Sequence, residues 1–447
     1  MARRRTIGFF LSLGLVAGLA AAVLAQRTGY SREEFIRRRQ ALAERVAGGA
    51  VVLFGDVEAA AGMPFRQDND FFYLTGVRDP GAMAVLFPAS GEAYLFLPAQ
   101  TPREEMIDGP NLLKDPGAAS KTGFTALFPA SYLDEFLARS TGRAGGIFHV
   151  RLSPRDTMDE ARSETALMQG RRARSHYSDR LSDDQYRVEK LKARYPQVRF
   201  ADIVPSIDAL RAVKTAEEIE ILRRNGRLSA EAVRRAMLAG RPGAFEYEIA
   251  AVAMAVVLKG GAAGAAYAPI VGSGPNSCIW HYADNSRRVD SGDLVLMDFG
   301  ADLDHLTMDI TRTWPASGRF TDEQRQVYRT VLEVEKACIE AYRPGATPED
   351  VRDHVAEVLR AKGLDPRGLR GGFGHGVGLA VHDVGLGRVL KEGMVFAIEP
   401  ALYYPEKALG IRVEDTVLIT KDGCEVLTGD VPKDIDEIEK LLARARG

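Results

Sequence analysis

The chain has 447 residues, 46% of them apolar and 27% charged, and a formal net charge of −2. That length accommodates two domains, each with its own core, and the near-neutral balance gives no global attraction to nucleic acid or to a membrane surface. The three cysteines, Cys278, Cys338 and Cys424, are too few and too scattered for a disulfide framework or a thiolate zinc site.

The first element in chain order is Arg3-Arg4-Arg5 followed by an apolar run from Ile7 to Leu24 that ends at Ala25. A basic start, a short apolar stretch and small residues at the end predict a secretory signal peptide over residues 1–25. Cleavage is expected near Ala25, giving an exported protein, periplasmic or secreted, with no stable membrane anchor. The competing reading is a single membrane anchor, because the run just reaches the minimum length for spanning.

Residues 30–150 read as a mixed α/β domain. Ser31-Arg-Glu-Glu34 is a capping-box start to a helix with Phe35, Leu42 and Val46 on one side. Strands are expected at Val51–Phe54, Phe71–Leu74, Ala82–Phe87 and Ala93–Leu97, the last two joined through a hairpin turn at Pro88–Gly91. Residues 151–199 are charged and poor in large apolar side chains, and read as a solvated, helix-rich connection.

From residue 200 to 447 the pattern is that of an α+β domain. Helices are signalled by the capping box Thr215–Glu218, by Phe245–Leu258, by Thr321–Gln324 running to about Ala341, and by Thr347-Pro348-Glu349 running to Gly363. Apolar strands lie at Leu294–Asp298, Val395–Glu399 and Val413–Ile419.

Two of these strands repeat one chemical plan. Gly292–Asp298 and Gly393–Glu399 are each an apolar run ending in a carboxylate, and each is followed by a second carboxylate, Asp309 and Glu414. Acids at the ends of apolar strands are costly to bury unless paired or metal-bound. Two pseudo-symmetric units would bring four carboxylates to one seam, where two divalent cations balance their charge. A histidine in Gly374-His375-Gly-Val-Gly378 completes a mostly oxygen ligand set suited to Mn²⁺, and also to Co²⁺, Fe²⁺ or Zn²⁺. His149, His176, His305 and His354 carry no such pattern and read as ordinary histidines.

Together Gly272-Ser-Gly274, Trp280-His281-Tyr282, Gly292–Asp298, Asp309-Ile-Thr-Arg312, Gly374–Gly378, His382-Asp383, Glu399-Pro400 and Gly410-Ile-Arg412-Val-Glu414 resemble the pita-bread metallopeptidases, in their aminopeptidase P and prolidase branch. Phe65–Gly76 resembles the start of that branch's amino-terminal domain. The resemblance implies a carboxy-terminal pita-bread domain behind a smaller mixed α/β domain, and the activity of an Xaa-Pro aminopeptidase. It implies metal ligation by Asp298, Asp309, His375, Glu399 and Glu414, with Asp309 and Glu414 bridging, and attack by a hydroxide shared between the metals. Glu399 would be the general base, and His281 and His382 would act on the substrate side. Asp70 and Arg412 are implied at the substrate-binding level, Asp70 through the free ammonium group and Arg412 by orienting a ligand carboxylate. Proline-containing peptides are the implied partners, and a homo-oligomer, dimer or tetramer, the implied assembly.

One position departs from the branch: Gly371 stands where many members carry a further histidine, with Arg370 beside it. That leaves a prolidase, an Xaa-Pro dipeptidase, as the alternative activity. A catalytically silent binding protein of the same fold and a metal-free hydrolase of creatine-like molecules are the other readings; neither needs all five ligand positions.

Overall fold

The computed structural model describes residues 29–46, 48–58, 64–178, 181–363, 374–385 and 389–444. The expected signal segment, Arg370 and Gly371 lie outside the described residues. The chain divides after Phe148 into two compact units.

In the first unit, the Ala50–Phe54, Met83–Phe87 and Glu92–Leu97 strands pair antiparallel in sequence, and Ala126–Pro129 adds parallel to the third. The Pro88–Gly91 turn forms as expected, with Gly91 supplying a φ of +71°. The Arg32–Ala43 helix starts at Ser31, whose hydroxyl accepts from the Glu34 N–H at 3.2 Å. The Glu34 carboxylate itself turns to the buried Arg38 at 2.9 Å. Phe35, Leu42 and Val46 are all buried.

Phe71–Leu74 is not a strand. It lies in the Asn69–Thr75 helix, which begins at Asp68, whose carboxylate accepts from the Phe71 N–H at 2.9 Å, and ends at Gly76 with φ +66°. Asp70, in its first turn, is buried within this first unit.

The second unit is built on antiparallel sheets faced by long helices. Ile270–Ser273, Leu294–Asp298 and Thr311–Pro315 form a three-stranded sheet with Leu294–Asp298 central. His375–Gly376, Val395–Ile398, Asp415–Ile419 and Cys424–Val426 form a four-stranded sheet in that order. The Ala401–Tyr404 and Leu409–Arg412 ribbon follows the Val395–Ile398 strand. The predicted helices are present as Ala216–Ala239, Glu246–Lys259, Asp322–Ala341 and Pro348–Ala361, and the Thr215, Thr321 and Thr347 caps are reciprocal boxes. Val334, Cys338, Val355 and Leu359 of the last two helices pack on Phe396, Ile398, Val417 and Ile419 of the four-stranded sheet. This burial fixes the strand that carries Glu399 at its end.

Residues 151–199, expected as a connection, belong to the second unit. They form the Arg162–Ala173 and Asp183–Arg194 helices. Among the described residues no helix is long and apolar enough to cross a membrane.

Candidate metal centre

The two sheets meet where their acidic ends do. Asp298 ends the central strand of one sheet, opposite Thr311. Glu399 follows Ile398 in the other, which pairs with Asp415, so Glu414 lies across from Glu399. The Glu414 N–H donates to the Thr311 carbonyl at 3.1 Å, and the Thr416 hydroxyl donates to the Asp309 carbonyl at 2.7 Å. Backbone contacts therefore stitch the two repeats together beside the acids, as the repeated plan predicts.

Ligand-type atoms of Asp309, His375 and Glu414 lie within 4.8 Å of one another. Asp298 joins them through Tyr267, whose hydroxyl lies within hydrogen-bond distance of Asp298 and, at 2.6 Å, of Asp309. Glu399 joins through His375, with Nε2 3.6 Å from Oε1, and the same nitrogen is 3.5 Å from Asp309 Oδ2. All five predicted ligands thus surround one space. Gly374, just before His375, has φ +135°, and a Cβ there would overlap the Ala397 carbonyl oxygen. The glycine lets the histidine strand lie close against its neighbour.

The electrostatics suit a cation. Burial, reinforced by Asp309, lifts Asp298 to about 8 in spite of Arg412. Burial and the neighbouring carboxylates push Glu414 well above the usual range. Asp309 is held below it, because His375 and Tyr267 outweigh its burial. His375 rises to about 9: its burial works the other way, but Asp309 and Glu399 prevail. Glu414 Oε2 accepts from the Thr311 hydroxyl at 2.6 Å, whereas buried Oε1 has no hydrogen-bond partner among the described residues. An orphaned buried carboxylate oxygen facing acids and an imidazole fits a divalent metal site.

Arg412, expected at the substrate, is instead buried and fully engaged. Its guanidinium donates to Asp298, to the Thr311 hydroxyl at 3.0 Å and to the Tyr403 hydroxyl at 3.0 Å. Its bond to Asp298 holds that carboxylate in place, as a residue that orients a ligand carboxylate would.

His281 and His382 line a cavity of about 340 Å³ together with Tyr267, Asp298 and Asp309. The His382 and His375 rings meet edge to face at 4.3 Å. Asp70 lies in the other unit.

Sequence reasoning missed Tyr267, Thr311 and Glu164, the last 3.0 Å from His382 Nδ1. Thr311 sits inside the quoted Asp309–Arg312 motif, which was the available signal. Tyr267 and Glu164 sit in no motif.

Four carboxylates and a histidine at the seam of two sheet repeats define the class: a metal-dependent hydrolase built on a duplicated strand unit. Residues 220–421 match the model of metallopeptidase family M24, and residues 35–148 match the aminopeptidase P N-terminal domain. The Xaa-Pro aminopeptidase of Escherichia coli strain K12 is 34% identical over 93% of this chain and 99% of its own length. That of Haemophilus influenzae is 31% identical over 94% and 99%. The solved structure of zinc-substituted E. coli aminopeptidase P in complex with product superposes with a TM-score of 0.78 at 31% identity, covering 94% of this chain and 99% of that one. The chain belongs to the aminopeptidase P family of M24 metallopeptidases, whose members use divalent metal ions.

Proposed function

We propose that this protein is an Xaa-Pro aminopeptidase that releases the first residue of peptides with proline second. The observation that carries the reading is the convergence of Asp298, Asp309, His375, Glu399 and Glu414 on one space, with Glu414 Oε1 unsatisfied. These five side chains would hold two divalent ions, with Mn²⁺ the choice that best suits an oxygen-rich set. Such a pair lowers the pKa of bound water and polarises the scissile carbonyl.

The protein's own residues supply the rest. Glu399, beside His375 and only partly buried, would take a proton from the attacking water. His281 and His382, on the cavity wall, would between them stabilise the carbonyl oxygen and hand a proton to the departing proline nitrogen. Arg412 and Tyr267 keep Asp298 and Asp309 in position. A peptide with proline second lacks a backbone N–H, so an enzyme relying on strand-like pairing loses a bond there. A site that works on the carbonyl avoids that dependence.

Three further points belong to the proposal. The amino-terminal domain match favours tripeptides and longer substrates over dipeptides. The protein works as a homo-oligomer. It is exported, its leader removed near Ala25.

The test is a digest of Xaa-Pro and Xaa-Pro-Yaa peptides by native and chelator-treated protein. Chelation should abolish cleavage and Mn²⁺ or Co²⁺ restore it, with the tripeptide cut at the Xaa-Pro bond at the higher kcat/KM. Full activity after chelation rejects the metal mechanism. Cleavage of the dipeptide alone makes the protein a prolidase.

A further inference from the structure

Residues 149–219 lie between the two family-matched stretches. Part of this region reaches the site. Glu164, in the first turn of the Arg162–Ala173 helix, places both carboxylate oxygens 3.0 Å from Nδ1 of His382. We propose that Glu164 is a positioning residue: it holds the Nδ1 proton of His382 and so fixes that ring with Nε2 available to the substrate.

The chemistry permits one direction only. Glu164 Oε2 also accepts from the Ala161 N–H at 2.6 Å. Burial would raise its carboxyl, but this bond and His382 outweigh it and hold the group below its usual range. An ionised carboxylate only accepts hydrogen bonds, so Nδ1 must carry the proton and neutral His382 is a single tautomer. A proton taken from the attacking water by Glu399, passed to Nε2 and then handed to the departing proline nitrogen makes the ring an imidazolium in between; that cation faces an anion already in place, and nothing has to reorganise.

The placement is built into the fold. The Val381 N–H, one residue before His382, donates to the Met158 carbonyl at 2.7 Å. Arg211, itself buried, joins the two sides: Nη2 is 2.5 Å from Asp156 and 2.6 Å from Asp383, the residue after His382. Arg162 Nη2 ties the start of the helix to Asp208 at 2.7 Å. Glu164 and His382 thus stand on segments pinned to the same buried cation, within one unit of the chain. The same segment brings Asp159, Glu160 and Met168 to the wall of the cavity that His281 and His382 line.

Side-chain exposures of 43% for Glu164 and 29% for His382 place the pair at the rim, so the effect of losing it is moderate. Glu164→Ala should lower kcat on an Xaa-Pro-Yaa tripeptide about tenfold, the low end for partners that orient a functional histidine. KM and metal content should stay as in wild type. In a His382→Ala background the same change should cost nothing further, because Glu164 acts only through that ring. Glu164→Gln, which keeps the length of the side chain, serves in the same cycle if the alanine variant does not fold. Losses that multiply in the double variant would overturn the proposal.

The rate measurements rest on the peptidase reading, so a second readout stands apart from activity. ¹⁵N shifts of His382, assigned with His382→Gln in histidine-labelled protein loaded with Mg²⁺ or Zn²⁺, should show the Nδ1–H form in wild type and a mixture in Glu164→Ala. Identical spectra would reject the pair even in an active enzyme. An inactive wild type with the expected spectra would reject the peptidase reading and leave the pair standing.

Discussion

Glu414 and Asp415 are neighbours in sequence with opposite fates. Successive strand residues point to opposite faces, so Glu414 looks into the metal space while Asp415 is buried behind it against Arg312 at 2.7 Å and Lys433 at 2.6 Å. These cations hold the Asp415 carboxyl well below its usual range in spite of full burial. Asp415→Ala should therefore strand a buried Arg312 and destabilise the fold by about 3–5 kcal/mol. Urea unfolding measures this, and a loss below 1 kcal/mol, on the scale of exposed pairs, would show the pair to be dispensable. The sequence distinguished these two acids only through the spacing of the repeated plan. Asp298 and Glu399 stood out because each ends an apolar run, where a charge is conspicuous, whereas His375 stood out by its glycine-rich setting and the ligand set came from the resemblance. Tyr267 and Thr311 were not visible in that way, since a buried hydroxyl leaves no imprint on hydropathy. Glu164 stood in a charged stretch with no pattern to single it out.

At the level of elements, helices were legible wherever a cap preceded an amphipathic run, as at Thr215, Thr321 and Thr347. The Phe71–Leu74 segment was misread because four aromatic and apolar residues favour a strand on propensity. Asp68 and Gly76 bracket it as a short helix, and the glycine was the signal to weigh. A tighter constraint lies between Asp298 and Asp309. Gly300 packs so closely on Met308 that a Cβ would overlap its carbonyl oxygen. Gly300→Ala must push apart the two backbones that carry these acids, costing about 1–3 kcal/mol of stability. Metal content should fall with it, read by elemental analysis of the purified variant alongside its unfolding curve. Wild-type stability with full metal occupancy would mean that the loop relaxes freely.

For the molecule as a whole, the expectation most distant from the site is export. Mature protein from the native host should begin near Gln26 and be recovered outside the cytoplasm, as amino-terminal sequencing of fractionated cells would reveal. Retention of Met1–Ala25 on a cytosolic species would refute it. The stitched seam has a separate consequence. Ligands come from both sheet repeats, so an ion bound there grips two halves that otherwise meet through hydrogen bonds such as Glu414 N–H to Thr311. Binding only the folded form adds about 2.7 kcal/mol at a hundredfold excess over Kd, and here that energy falls across a joint. The ion then serves as a clasp as well as a reagent. Adding Mn²⁺ to stripped protein should slow amide exchange in Leu294–Asp298 and Asp415–Ile419 together, while the Ala50–Phe54 strand of the other unit keeps its rate. Slowing confined to one repeat would mean that each half stands firm alone and the clasp closes on nothing.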